Sequence, residues 1–473
     1  MRILVTGATG YAAKRLIPEL LRKGHEVICC VRDEKRFDAS KYTTENISVI
    51  KADFLKKETL NDIPQDIDAA FYLIHSMSSE KGDFKELEEL SAINFRDIIQ
   101  KTKTRQVIYL SGIINDEKLS KHLSSRKNVE EILSSGSYAL TTLRAGIIIG
   151  SGSASFEIIR DLVEKLPIMI APRWLNTVSQ PIAIRNVIEF LSGVLLNEKT
   201  FNQSYDIGGP DILNYKQMLL IFAKVRGLKR HILVVPVMTP KLSSYWLYFI
   251  TAVSYSLAKN LVHSMKIEVV CKDNNLKDLL GITPITYEEA IKLAFNQIEL
   301  NEVPSSWKDA LTSPALNEGI AKYAEVPIHG CFIDSRKRKI VDAQSILDRI
   351  WAIGGVNGWY YGDWLWSIRG FLDKLAGGVG LTRGRKNQTD ISPGDSLDFW
   401  RVLIADKSEK RLLLFAEMKL PGEAWLEFKI DDNNTLHQTA TFRPLGLLGR
   451  VYWYCLLPFH AFIFRGMLKN IAK

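Results

Sequence analysis

Two pairs of side chains at helical spacing could move a proton in this 473-residue chain. Tyr255 and Lys259, in "YSLAK", are the only Tyr-x-x-x-Lys in the sequence. On one helix face a lysine cation stabilises a tyrosinate and lowers the phenol's pKa, so that it can exchange a proton near neutrality. His122 and Arg126 repeat the i, i+4 spacing with the opposite consequence. A guanidinium beside an imidazole disfavours the imidazolium, leaving a neutral ring that can take a proton but not supply one. A third feature handles phosphate rather than protons. Gly7 and Gly10 in "TGATGY" let the backbone turn sharply and approach a pyrophosphate.

The glycine pair needs a strand before it and a helix after it, and both are legible. "RILVT" (2–6) reads as a short apolar strand, and "YAAKRLIPELLRKG" as an amphipathic helix ending near Gly24. Ala13 takes the third glycine position, where its methyl still permits close helix–strand packing. "EVICCV" (26–31) is a second strand, and Arg32 follows it, which suits the 2′-phosphate of NADP where NAD binders place a carboxylate. "ISVIKAD", "DAAFYLIHSM" and "QVIYLSG" are further strands at α/β spacing. Buried strands alternating with helices predict a doubly wound parallel sheet.

With "TGATGY", "YLIHSM", "INF" and "YLSG", residues 1–300 resemble the atypical, NmrA-like branch of the short-chain dehydrogenase/reductase superfamily. The resemblance implies a Rossmann domain binding a dinucleotide, with a substrate lobe within 150–300; Arg32 makes NADP(H) the expected cofactor rather than NAD. Gly7, Thr9, Gly10, Tyr11, Ala13 and Arg32 would belong to the cofactor site. Adenine would lie near Asp53 and Phe54, and the nicotinamide side would run past Ile74, His75 and Ser76 toward Ser111. The superfamily carries its Tyr–Lys pair on the helix after the fifth strand. Here that helix is "KHLSSRKNVEEIL", and its slot holds His122 and Arg126. Ser111, His122 and Arg126 are therefore the catalytic candidates. YSLAK comes more than a hundred residues later in an aromatic-rich run, and packing is its expected role.

Two function classes follow. One is an NADP-dependent oxidoreductase or isomerase acting on a hydrophobic substrate. The other is a non-catalytic NADP(H)-binding redox sensor or accessory protein, of which this branch has members.

A proline-bearing linker, 301–325, leads into a different texture. Seven of the ten tryptophans fall after residue 326. "SLDFWRVLIAD", "RLLLFAEMKL", "AWLEFKID" and "LHQTATFRP" read as strands, and the last segment as a long helix. Residues 326–473 resemble the helix-grip (START/SRPBCC-like) α+β fold, in the domain of unknown function that tails this reductase subfamily. An apolar cavity for a lipid, quinone or other flat molecule is one expectation, and a tryptophan-filled core the other. Arg369, Arg383 and Arg385 could meet an anion, although solvated arginines are the expected reading.

The totals limit the alternatives. Five cysteines show no CxxC spacing, which suits reduced thiols. No basic n-region precedes the first strand, so a cytoplasmic protein is expected. The net charge of +9 is concentrated late, with 21 Lys+Arg against 15 Asp+Glu in 326–473. Neither a nucleic-acid signature nor metal-ligand spacing among His329, His437 and His460 accompanies it. Residues 242–258 lack charge over 17 positions, and a buried or interfacial helix is expected there, with peripheral membrane contact as one outcome.

Overall fold

Near-continuous apolar runs build the first sheet. The computed structural model describes residues 1–34, 37, 42, 46–74, 84–114, 121–235, 262, 265–299, 326, 331–376, 378–380, 385 and 390–473. The described residues fall into two units, 1–299 and 326–473. YSLAK, His75, Ser76 and the 242–258 run lie outside the described residues.

The first unit opens with β1 (Arg2–Val5), α1 (Ala13–Arg22), β2 (Glu26–Val31), β3 (Ile47–Lys51) and β4 (Ala69–Tyr72). It continues through α2 (Phe84–Ile99), β5 (Gln106–Gly112), α3 (Lys121–Ser134) and β6 (Ala139–Ala145). The lobe beyond carries β7 (Ile148–Ile149), α4 (Ala154–Lys165), β8 (Ile168–Pro172), β9 (Val178–Ser179), β10 (Ile182–Ala183) and α5 (Ile184–Gly193). There follow β11 (Gln203–Ile207), β12 (Leu213–Asn214), α6 (Tyr215–Val225), β13 (His231–Val235), α7 (Leu276–Leu280) and α8 (Tyr287–Glu299).

Seven strands pair in the order β11-β6-β5-β4-β1-β2-β3, all parallel. Alternate residues of each strand face opposite layers. Ile3, Val5, Val27, Cys29 and Phe71 pack under α1 and α5, whereas Leu4, Ile28, Cys30, Tyr72 and Tyr109 pack under α2 and α3. The strand order reverses between β1 and β4, and in doubly wound sheets ligands bind at that switch point. Smaller strand pairs, β7 with β10, β9 with β12 and β8 with β13, build the lobe.

The second unit comprises β14 (Phe332–Lys339), α9 (Ala343–Trp351), α10 (Asp363–Leu375), β15 (Ser396–Leu397), β16 (Trp400–Asp406), β17 (Arg411–Ala416), β18 (Gly422–Ile430), β19 (Thr435–Pro444) and α11 (Gly446–Ile471). Its six strands form an antiparallel sheet, β14-β19-β18-β17-β16-β15. The basic RKRK run is an edge strand, where charges discourage further pairing. Tryptophans fill the core: Trp359 lies 5.5 Å from Trp366 and 6.1 Å from Trp400, ring centre to ring centre. Inside the sheet, Arg401 and Glu417 form an ion pair whose side chains have no exposure.

Candidate dinucleotide site and catalytic slot

The switch point is closed by one hydroxyl. Thr6 Oγ1 donates to the Phe71 carbonyl (3.0 Å) and accepts from the Leu73 N–H (3.2 Å), tying the ends of β1 and β4 together. Gly7 then turns at a φ of +64°, and a Cβ there would stand 2.8 Å from the Leu73 oxygen. Gly10 donates its N–H to the Gly7 carbonyl at 2.7 Å, and its own Cβ would lie 2.9 Å from that oxygen. Both positions therefore exclude side chains, and the loop stays close enough for backbone to meet a phosphate. No side chain caps the start of α1 at Ala12, which leaves the positive end of the helix open to an anion. Ala13 is 1% exposed and packs into the sheet core, as its size suggests.

Tyr11 does more than follow the glycines. The Arg15 guanidinium lies 4.0 Å over its ring and donates to the Ser151 carbonyl at 2.7 Å. A Cβ on Gly150 would sit 2.6 Å from the Tyr11 hydroxyl. Burial pushes that phenol up to about 12, with Arg15 and Ser153 pulling it back. Tyr11 thus anchors the glycine loop to the segment after β7, a contact across some 140 positions that spacing alone does not encode.

Arg32 is exposed just past the end of β2. The Asp53 N–H donates to Thr59 Oγ1 (2.9 Å), and its Oδ1 accepts from the Leu55 N–H (3.2 Å), so the carboxylate shapes its own turn. Phe54 is buried beneath that turn. Asn94 of α2 donates through Nδ2 to the Phe54 carbonyl at 2.7 Å, which explains the asparagine of "INF" as a brace for this loop. Ile74 is half-buried beside the α2 layer.

The candidate catalytic slot lies at the end of β5. Ser111 is 2% exposed. Burial raises the pKa of Tyr109, two residues earlier on the same strand face, while the Arg126 charge and the Ser111 hydroxyl act to lower it. Helix α3, which carries Arg126, packs against β5. Ser125 does not face the slot; its hydroxyl donates to buried Glu88 Oε2 at 2.6 Å and holds α3 against α2. His122 stands one turn before Arg126 on α3, and its side chain lies outside the described part of the structure. Sequence reasoning missed Tyr109; its alternation with Ser111 on a strand was the available signal.

Residues 7–152 match a family model described as NAD(P)H-binding. That stretch is thus similar to NAD(P)H-binding domains, and the first unit has the parallel sheet of a Rossmann-like fold. Residues 330–467 match the model of a protein of unknown function (DUF2867). The Rossmann unit resembles a nucleoside-diphosphate-sugar epimerase from Staphylococcus aureus, at 15% identity and a TM-score of 0.51, over 62% of this chain and 100% of that one. It also resembles the Bordetella bronchiseptica enzyme WbmG in complex with NAD, at 13% identity and a TM-score of 0.50, over 64% of this chain and 95% of that one. Such identities establish the fold alone. A photosystem II assembly factor, Ycf39 from Synechocystis, is 23% identical over 131 residues, which span 28% of this chain and 40% of that relative.

Proposed function

We propose that this protein binds NADP(H) and acts as an oxidoreductase or isomerase on a hydrophobic substrate without the usual tyrosine–lysine pair. The observation behind this reading is Ser111, buried at the C-terminal end of β5, with α3, which carries Arg126, packed against that strand. When bound, the dinucleotide supplies or accepts a hydride. Gly7, Thr9 and Gly10 would meet its phosphates, with Tyr11 and Ala13 fixing that loop and helix in place, Arg32 the 2′-phosphate, Asp53 and Phe54 the adenine side, and Ile74, His75 and Ser76 the nicotinamide side. A guanidinium stays charged at any working pH, so Arg126 stabilises negative charge on a substrate oxygen instead of protonating it. Ser111 orients that oxygen by hydrogen bonding. Such a site suits enones and quinones, whose reduced forms spread the charge.

Arg126→Met and Ser111→Ala test the assignment. With bound NADPH offered quinones, enones and aldehydes, Arg126→Met is expected to slow turnover by roughly 10²-fold or more. Tight NADPH with no hydride exchange toward any of them would leave the second reading: a non-catalytic redox sensor or assembly protein. The near-complete burial of Ser111 favours that reading, as does the similarity to a photosystem II assembly factor.

Arg32→Ala tests the cofactor preference separately. NADP affinity is expected to fall roughly 10- to 100-fold, the loss of about one or two charge-assisted contacts, with NAD nearly unchanged. Equal loss for both dinucleotides would refute the 2′-phosphate role.

For the C-terminal unit, the reading is a helix-grip domain enclosing an apolar ligand. Its support is a 26-residue helix packed on an antiparallel sheet. Beneath that helix, Trp366 Nε1 and Gln438 Oε1 are buried with no hydrogen-bond partner, in residues 1% exposed. Polar atoms so placed are costly unless something pairs with them, and a ligand's polar group would.

A further inference from the structure

Two helices of the C-terminal unit turn an apolar side outward. On α10, Trp364, Ile368, Phe371, Leu372 and Leu375 recur at helical spacing and are 49–63% exposed. On α11, Leu448, Val451, Tyr454, Phe459 and Phe462 are 51–77% exposed. The helices adjoin: Arg369 donates to the Tyr452 hydroxyl at 2.9 Å, and the Tyr361 ring just before α10 lies 5.1 Å from Phe462. Isolated exposed leucines are ordinary, but a continuous face of this kind marks an interaction surface.

Along α11 and the chain around it, charge selects the occupant; α10 adds exposed Asp363 and half-buried Arg369. From Asn433 to Lys473 the chain has five basic residues, Arg443, Arg450, Arg465, Lys469 and Lys473, and no Asp or Glu. Arg450, Arg465 and Lys469 are exposed on α11 itself. A second copy of the chain would set these cations against their own kind. An anionic lipid surface complements them, and tryptophan and tyrosine on the apolar face suit the headgroup level. We propose that α10 and α11 dock side-on into the interface of a membrane bearing anionic lipids. Lying in the interface also agrees with their length and composition, since no helix among the described residues is long and apolar enough to cross a membrane.

Sedimentation of the full chain with vesicles tests this. The two compositions are phosphatidylcholine alone and phosphatidylcholine with roughly one part in three of phosphatidylglycerol. The protein is expected to pellet with the anionic vesicles, with at least about tenfold weaker binding to neutral ones and release at high salt. The double variant Leu448→Asp, Phe459→Asp changes two exposed positions. It should lose binding by at least about tenfold while its circular dichroism and melting temperature match the parent. Wild-type protein left in the supernatant with both compositions would overturn the proposal. So would a folded variant that pellets like the parent, or a dimer in solution that the variant dissociates.

Discussion

Glu417→Leu should lower the stability of the C-terminal unit by about 3–5 kcal/mol, the usual consequence of breaking a buried pair from one side. Arg401 is fully buried between strands of the sheet and donates through Nη2 to both Glu417 oxygens, at 3.1 and 3.0 Å. Its Nη1 reaches the Gly394 carbonyl at 2.7 Å. Leucine would take away the carboxylate and leave the guanidinium where water cannot reach it. In a unit of this size the melting temperature should drop on the order of 10 °C. Tryptophan fluorescence reports the transition directly, because Trp359, Trp366 and Trp400 share that core. Removing both charges together, Arg401→Met with Glu417→Leu, should restore much of the loss, since apolar residues of similar volume tolerate such sites. A single variant within about 1 kcal/mol of the parent would show that the pair is energetically silent.

Gly7→Ala should abolish most dinucleotide binding, with at least a roughly 100-fold loss of affinity, because it reshapes the phosphate loop itself. Its backbone lies at a φ of +64°, where an L-residue is strained by roughly 1–2 kcal/mol. The added methyl meets the Leu73 carbonyl at 2.8 Å. That carbonyl cannot easily retreat, since the Leu73 N–H is held by Thr6 Oγ1. Gly24→Ala separates strain from collision. Gly24 also has a positive φ, +79°, but nothing lies within 4 Å of its would-be Cβ. It should cost about 1 kcal/mol of stability and leave affinity for NADPH unchanged. Calorimetric titration with NADPH compares the two, and parental affinity in Gly7→Ala would remove the glycine turn from the site.

Short-range pattern carried much of the fold. The apolar runs at 2–6, 26–31 and 106–112 are β1, β2 and β5, and the four alternating segments after residue 396 lie on β15 to β19. Strand β14 escaped notice because its RKRK run looks like a solvated face, and as an edge strand it nearly is one. Of the candidate site, Gly7, Gly10 and Ala13 were legible because a glycine turn is set by local backbone geometry. The substitution of His122 and Arg126 for the expected pair was legible for the same reason, as both lie on α3 at fixed spacing.

By itself, then, the sequence determined the strand–glycine turn–helix at the N-terminus, the parallel sheet and the absence of a tyrosine–lysine pair on α3. These follow from residues within a few turns of one another. Only the tertiary structure decided that Tyr11 packs against Gly150, that Asn94 braces Phe54 and that Ser125 of α3 is held by Glu88 of α2. It alone revealed that Arg401 is buried on Glu417 and that α10 and α11 leave an apolar side uncovered. The physical reason is common to all of these. Periodicity fixes which face of an element is apolar, but what covers that face, or leaves it bare, depends on segments brought together by packing.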